Sequence, residues 1–185
     1  MKICDWAKEE PNKTYHNTIW GKPEHDDQKL FEFLILEGAQ AGLSWTTILK
    51  RKNNYQKVFL NYDLEKLANL TDEQLNEILL DERIIRNRLK VYSVRKNAIG
   101  FLKIQAEYGT FAKYIWGYVD NKQIINFPKE MADIPASDEL SLKISKDLKK
   151  WGFNFVGPTI IYSYLQAIGI IDDHLVDCIC KKGLS

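Results

Sequence analysis

Two cysteines and two histidines lie near opposite ends of the sequence and carry the chemistry of a metal site. Cys4 and His16 occur near the start, and His174 and Cys178 occur near the end. Together they supply two thiolates and two imidazoles, a usual closed tetrahedral ligand set for structural zinc. Their spacing matches no short zinc motif, so the alternative is two buried cysteines and two ordinary histidines. Cys180 is a further thiol that competes for a ligand position.

A second set of residues has the composition of a pocket for a planar, electron-poor ligand. Glu37 follows an apolar run, and Trp45 follows Glu37 across a glycine-containing turn. Trp6, Tyr15 and Trp20 provide further aromatic rings. Stacked rings suit a base flipped out of a duplex, and a carboxylate suits an exocyclic amine or a cationic ring. The alternative is that the aromatic rings form the core and that the acid faces water.

A third feature is a run of basic residues without acids. Between residues 83 and 103 there are seven Lys or Arg residues and no Asp or Glu. The segment from Arg83 to Lys90 falls between two predicted helices. Exposed amides, a following helix N-terminus and flanking cations make such a connection a good phosphate-binding site. The alternative is a solvated helix face.

Helical periodicity runs through almost the whole sequence and predicts an all-α fold. Asp26 or Asp27 is placed to cap a helix that carries Glu37, and Ser44 is placed to cap the next helix. A helix through His174 and Cys178 would put both side chains on one face. Further helices are predicted over about 73–80 (after a capping box at Thr71), 88–108, 111–116, 138–151 (capped by Ser137) and 158–169. No alternating strand pattern longer than a few residues is present.

Composition limits the class of protein. The 185 residues suit one domain, and 45% hydrophobic with 28% charged residues is ordinary globular composition. The net charge of +1 excludes a globally basic nucleic-acid binder but not a local basic patch. The sequence contains no membrane span and no recognisable signal peptide. Three cysteines make a disulfide framework improbable, which indicates a reducing cytoplasm.

Other catalytic patterns are missing. The sequence contains no HExxH, G-x-S-x-G, P-loop or GxGxxG motif. A zinc hydrolase needs an open coordination position, and four protein ligands argue against it.

In combination, these residues resemble the bacterial DNA-3-methyladenine glycosylase I family. The resemblance covers nearly the whole chain, and its matching pieces are Cys4-x-Trp6, Tyr15-His16, Trp20-Gly21, Leu36-Glu37-Gly38, Ala41-Gly42-Leu43-Ser44-Trp45, Ile84-Ile85-Arg86-Asn87-Arg88, Phe153-x-Phe155-Val156-Gly157, Asp173-His174 and Cys178. It implies a helix-hairpin-helix DNA glycosylase fold, expected as a single unit over residues 1–185 with a core at about 26–170. It also implies that one structural zinc per chain ties together the terminal segments 1–25 and 171–185.

The resemblance further implies a function and its residues. The expected enzyme flips out and hydrolytically excises 3-methyladenine from alkylated double-stranded DNA, releases the free base and does not cleave the strand. A monomeric DNA repair enzyme is expected. The implied site residues are Glu37 (catalytic and base-binding), Tyr15, Trp45 and Trp6 (base-binding), Gly42, Leu43, Arg86, Asn87, Arg88 and Lys90 (DNA-binding), and Cys4, His16, His174 and Cys178 (zinc ligands).

Two positions depart from the family pattern. The Tyr15 segment is one residue shorter, so a further pocket tyrosine has no clear equivalent near Asn12 and Lys13. Arg83 stands where the family has a glycine before Ile84. A zinc-containing DNA-binding module without catalysis is the alternative function, and it would not require Glu37 beside Tyr15 and Trp45.

Overall fold

The computed structural model describes residues 2–181, and these residues form a mostly helical fold. In this part of the chain the α-helices are α1 Asn12–Thr18, α2 Asp27–Gln40, α3 Trp45–Leu49, α4 Lys52–Val58, α5 Leu64–Ala68, α6 Asp72–Ile78, α7 Arg88–Tyr108, α8 Phe111–Gly117, α9 Glu139–Lys150 and α10 Pro158–Ala167. Short 3-10 turns cover Asp5–Ala7, Leu60–Tyr62 and Met131–Asp133. None of the helices within residues 2–181 has the length and apolarity needed to cross a bilayer.

Helix α2 is the central element, and most of its 14 residues are buried. Asp26 caps it, because its carboxylate accepts a hydrogen bond from the Lys29 amide at 2.9 Å. Asp27 reaches further and accepts the amides of Phe111 and Ala112, each at 2.8 Å, at the start of α8. The first turn of α2 is therefore fixed to a second helix, and its last turn runs into the interior with Glu37.

Most predicted caps are confirmed. Ser44 caps α3 through the Thr47 amide at 3.2 Å, and Thr71 forms the predicted capping box of α6. The cap of α9 is one residue later than predicted. Asp138 accepts the Ser141 amide at 2.7 Å and donates its own amide to the Ser141 hydroxyl at 2.9 Å, a reciprocal capping box that Ser137 cannot form with Leu140.

The predicted helical fold is confirmed, and it includes one short strand pair. Strand β1 (Ile124–Ile125) pairs in parallel with β2 (Ile171–Asp172). Such a short pair leaves no period-2 pattern to detect, yet it satisfies backbone groups of a buried segment.

The segment with His174 and Cys178 is not helical, so the two side chains do not share a helix face. It is built from turns, and Cys178 forms a parallel bridge with Lys2. Backbone hydrogen bonds run from the Lys2 amide to Asp177 O and from the Ile179 amide to Lys2 O, at 3.0 and 2.9 Å. Main-chain pairing thus joins the two segments that carry the predicted metal ligands. Residue 1 and residues 182–185 of these segments lie outside the described residues, and the predicted domain bounds stay a prediction.

Candidate functional site

A cavity of about 460 Å³ opens between helices α1, α2, α3 and α10. It brings together all four residues that the sequence predicted for base binding. The lining residues are Trp6, Asn12, Tyr15, Trp20, Glu37, Gln40, Ser44, Trp45, Thr46, Met131, Ile134, Ser163 and Gln166. This volume and this mixture of aromatic and polar groups suit one small planar ligand.

The carboxyl group of Glu37 dominates the electrostatics of this cavity. Glu37 is only 4% exposed, in the last turns of α2. Burial raises its pKa to about 8, and no cation among residues 2–181 pairs with it. A charge held in a low-dielectric wall without a partner is costly, so the group is poised to gain or lose a proton near neutral pH.

Two hydrogen-bond donors in the same cavity are also unpartnered. The Tyr15 hydroxyl and the Trp45 indole Nε1 are fully buried, and neither has a hydrogen-bond partner in the described part of the chain. Burial, with a smaller contribution from the Glu37 charge, raises the pKa of Tyr15 well above its usual range. Its hydroxyl therefore remains a donor at physiological pH. Buried groups left unpaired in this way indicate a site whose partner is a ligand.

Aromatic packing holds the walls of the cavity. The rings of Tyr15 and Trp45 lie 5.2 Å apart, and Trp6 lies 6.2 Å from Tyr15 and 5.1 Å from Trp20. Edge and tilted contacts of this kind leave ring faces free for a planar guest.

Several lining residues were missed by the sequence analysis. Asn12 donates to Trp6 O at 3.0 Å and accepts from the Thr46 hydroxyl at 3.1 Å, so it joins the Trp6 segment to α3. Nothing in the sequence singles out this role beyond the family departure at this position. Ser163 and Gln166 line the cavity from α10. Their polarity within an otherwise apolar helix is the signal that could have identified them.

A cluster of metal-ligating side chains lies behind the aromatic wall. The ligand atoms of His16, His174, Cys178 and Cys180 all lie within 4.8 Å of one another. The tight group thus contains three of the four predicted ligands, with Cys180 in the fourth position. Cys4 is 1% exposed and lies against Cys178. Two imidazoles with thiols on several sides fit a tetrahedral metal ion.

The hydrogen bonds around the two imidazoles support this fit. His174 Nε2 is buried without a partner in the described residues, while its Nδ1 lies 2.8 Å from Asp172 Oδ1. His16 Nε2 lies 3.5 Å from Cys178 Sγ, while its Nδ1 lies 2.8 Å from Asn17 Oδ1. Each ring is thus oriented through Nδ1 and presents Nε2 to the cluster, the usual arrangement around metal-bound histidines.

The metal cluster and the cavity share a wall. The ring of Trp20 lies 4.6 Å from that of His174, and Trp6 lies 5.4 Å from His16. Gly21 permits this approach, because it has φ +72° and a Cβ there would lie 2.7 Å from His174 Cε1. The cluster therefore supports the rear of the cavity without lining it.

The loop after α2 exposes one apolar side chain beside the cavity. Gly42 has φ +77°, a conformation that favours glycine, and the following Leu43 is 38% exposed. The loop leads directly into Ser44 and Trp45, so the protruding leucine and the cavity wall are consecutive in sequence.

The basic segment connects α6 to α7 as predicted, but its charges are partly compensated. Arg83 makes a bidentate pair with Asp81, with a shortest distance of 2.6 Å, and Arg86 lies 3.8 Å from Glu82. These acids precede the run in sequence, which is why the run itself contains none. Among the described residues, the backbone amides of Arg86, Arg88 and Leu89 have no hydrogen-bond acceptor. They remain available to an anion.

Asn87, Arg88 and Lys90 differ in what their side chains do. Asn87 caps α7 through the Lys90 amide at 3.0 Å. Arg88 donates to Asn76 at 2.9 Å and lies over the Tyr92 ring. The Lys90 ammonium donates to Ala39 O at 2.8 Å and Ala41 O at 2.6 Å. Two main-chain carbonyls thus take two of the three N–H donors of this ammonium, and a phosphate contact of Lys90 stays a prediction.

Comparison with known proteins agrees with this geometry. A sequence model of the family described as methyladenine glycosylase matches residues 6–181. The chain belongs to the methyladenine glycosylase family. It is 41% identical over 181 residues to the DNA-3-methyladenine glycosylase of Haemophilus influenzae, which covers 97% of this chain and 98% of that protein. It is 40% identical over 184 residues to DNA-3-methyladenine glycosylase 1 of Escherichia coli, covering 99% and 98%.

The fold of this methyladenine glycosylase family member is also that of its solved relatives. A variant of 3-methyladenine DNA glycosylase I in complex with 3-methyladenine superposes with a TM-score of 0.95, at 36% identity and covering 99% of each chain. The family resemblance stated from the sequence is therefore confirmed.

The buried carboxyl group predicts an unusual pH dependence of stability. The folded pKa of Glu37 lies near 8 and its ordinary value is 4.5, so the unfolded chain releases a proton that the folded chain keeps. The free energy of unfolding should therefore fall as pH rises from about 4.5 to 8, by several kcal/mol. Urea unfolding at a series of pH values, with Glu37→Gln alongside, checks this. The difference between the two proteins isolates the Glu37 contribution, and a difference independent of pH would contradict the buried, neutral state.

Proposed function

We infer that this chain excises 3-methyladenine from DNA by hydrolysis of its glycosidic bond. The observation that carries the inference is a buried, unpaired carboxyl group facing the same cavity as two unpaired aromatic donors. A DNA-binding module without catalysis would bear the cost of these three buried groups without use. The family membership and the solved relative in complex with 3-methyladenine support the same conclusion.

We propose that the flipped base stacks against Trp45, Tyr15 and Trp6 while the Glu37 carboxylate faces its electron-poor ring. Methylation at N3 places a positive charge on the adenine ring, which weakens the glycosidic bond and improves the leaving group. A positive ring also favours the ionised form of Glu37, so entry of the base should lower the pKa of that carboxyl. Glu37 stabilises the positive charge of the bound base. As the bond between the sugar C1′ and the base breaks, its electron pair passes to the base, which leaves as neutral 3-methyladenine. Water forms the new bond to C1′ and gives its proton to solvent. This order of events requires no strong general base.

The cavity composition supports hydrolysis without strand cleavage. No lysine belongs to the cavity lining within residues 2–181, so no amine is placed to form a Schiff base with the sugar. We therefore propose a monofunctional enzyme. Leu43 is proposed to fill the space that the flipped base leaves in the duplex, since it protrudes from the loop next to the cavity.

The duplex is proposed to bind along the connection between α6 and α7. The free amides at residues 86, 88 and 89 and the N-terminus of the long helix α7 provide neutral and dipolar phosphate contacts. Arg86 and Arg88 are exposed and add positive charge. Asn87 contributes by capping α7, which holds these amides in place. We propose that the protein acts in the cytoplasm. Bacterial DNA is found there, and free thiols persist in a reducing compartment.

The metal is proposed to be zinc, held by Cys4, His16, His174 and Cys178. Cys4 is preferred over Cys180 because it is the more deeply buried thiol, and the Leu175 amide donates to its sulfur. Burial, followed by the neighbouring Cys178, raises the pKa of Cys4 to about 12, and a divalent cation is the group that would favour its thiolate. Cys180 instead donates its amide to Cys178 Sγ and its thiol to Asn17. When bound, the metal supplies structural support behind the cavity.

Glu37→Gln tests the base-binding proposal. The fold and most DNA affinity should be preserved, whereas affinity for 3-methyladenine and single-turnover excision from methylated DNA should fall by roughly 10- to 150-fold, since a hydrogen bond to a charged group contributes about 1.5–3 kcal/mol. Glu32→Gln is a matched control, because it makes the same change in α2 outside the cavity lining. If Glu37→Gln, Tyr15→Phe and Trp45→Ala all behave like wild type, the base-binding pocket lies elsewhere. The result would then favour a DNA-binding module without catalysis.

Elemental analysis tests the metal proposal. Protein purified without added metal should contain about one zinc per chain, Cys4→Ser should lose it, and Cys180→Ser should retain it. Zinc lost from Cys180→Ser and retained in Cys4→Ser would instead make Cys180 the fourth ligand. Its sulfur lies within 4.8 Å of the ligand atoms of His16, His174 and Cys178. Wild-type protein free of zinc would remove the assignment altogether.

Arg86→Ala tests the phosphate contacts. Binding to undamaged duplex should weaken uniformly across sequences, and the slope of log affinity against log salt should decrease by about 0.9 for one lost phosphate contact. Lys149→Ala removes one positive charge from α9, which is not part of the connection between α6 and α7, and should leave the slope unchanged. Equal slopes for both variants would show that Arg86 makes no phosphate contact and is only a solvated surface residue.

A further inference from the structure

One half-buried cation remains unexplained by the proposed chemistry. Lys90 belongs to the first turn of α7, directly after the basic connection, and its ammonium contacts the end of α2. It donates to the carbonyl oxygens of Ala39 and Ala41 at 2.8 and 2.6 Å. These carbonyls belong to the C-terminal end of α2, where main-chain acceptors lack helical partners and a cation is favoured by the helix dipole.

The same residue also takes part in forming the start of α7. Its amide donates to the Asn87 side chain at 3.0 Å, and its carbonyl accepts the Ser93 hydroxyl at 2.7 Å. Residue 90 is thus attached through its main chain to the proposed phosphate-binding connection and through its side chain to the loop that follows α2. These two elements are about fifty residues apart in sequence.

The loop that Lys90 holds has few other restraints. The Ala41 amide makes a long hydrogen bond to Gly38 O at 3.4 Å, and the Leu43 amide bonds to Gln40 O at 2.7 Å. Around Gly42 there is open space, since a Cβ there would meet no atom within 4 Å among the described residues. The protruding Leu43 therefore depends on main-chain contacts for its position, and the Lys90 bonds hold the chain at Ala39 and Ala41, directly before Gly42.

We propose that Lys90 is a positioning residue that sets the Leu43 loop and the end of α2 relative to the phosphate-binding connection. A duplex held at the connection is then presented to Leu43 and Glu37 at a fixed separation. The ammonium has exchanged water for two carbonyls, in keeping with the lowered pKa that burial gives it. The proposal rests on the proposed function, because it assigns to the loop a part in excision from duplex DNA. A small displacement of the reacting groups reduces the rate of a reaction strongly. The Lys90 hydrogen bonds should therefore affect the excision rate more than the affinity for DNA.

Single-turnover excision from methylated duplex DNA, with Lys90→Met, Lys90→Arg and Lys96→Met, tests this role. Lys96 lies on the same helix and is exposed. Lys96→Met therefore removes the same charge but leaves the hydrogen bonds from Lys90 to Ala39 and Ala41 in place. Lys90→Met should reduce the excision rate constant by at least about tenfold, since the lost bonds are charge-assisted. Its affinity for free 3-methyladenine and its salt slope for undamaged duplex should remain as in wild type. Lys90→Arg, which keeps donors for two carbonyls, should recover most of the rate.

Each other outcome overturns the proposal in a recognisable way. A salt slope reduced as in Arg86→Ala would make Lys90 a phosphate ligand, and a parallel loss of free-base affinity would make it only a support of the cavity. Rates equal to those of Lys96→Met would remove any role. If Lys90→Met fails to fold, Lys90→Gln, which keeps an uncharged donor, must show an intermediate rate with an unchanged slope. Wild-type protein that releases no 3-methyladenine would instead refute the proposed function itself.

Discussion

The burial of one carboxyl group without a counter-ion is the constraint around which this molecule is organised. Glu37 can stay in a low-dielectric wall only because the rest of α2 is packed in the core and gives the helix end no freedom to turn towards water. The helix is held at its start by the hydrogen bonds that the Asp27 carboxylate accepts from two α8 amides, and near its end by those that the Lys90 ammonium donates. Both ties act on main-chain groups at or near the helix ends, where polar partners are most needed.

The aromatic rear wall of the cavity must also be held in place, like the end of α2 that carries Glu37. Aromatic rings give shape and polarisability without a charge, but they must be prevented from collapsing into the empty space between them. Trp6 and Trp20 are held from behind by the imidazoles of His16 and His174, which are themselves oriented by polar neighbours. The cavity can remain open because its walls are rigid before any ligand arrives, which lowers the ordering cost of binding.

Local patterns allowed a correct prediction of most helices, and the acid and aromatic rings singled out in the sequence line one cavity. Asp26, Ser44 and Thr71 cap the helices they were expected to cap, since capping depends on residues a few positions apart. The carboxylates that pair with Arg83 and Arg86 belong to Asp81 and Glu82, which directly precede the basic run. The Lys90 contacts and the Lys2 bridge depend on tertiary folding over long sequence separations, and no local period encodes them. Cys4 and Cys180 could not be ranked by spacing, because the ligands converge through turns instead of one helix face.

The pairing between Lys2 and Cys178 has a consequence for the order in which the molecule can be completed. A ribosome makes the segment with Trp6 and Tyr15 first and the segment with His174 and Cys178 more than 150 residues later. Until the later segment has been made, Lys2 lacks its main-chain pairing with Cys178, and Trp20 lacks the imidazole of His174 behind it. The cavity therefore forms only after this segment is present, and a nascent chain that stalls earlier carries Glu37 without the rear wall that shapes its site.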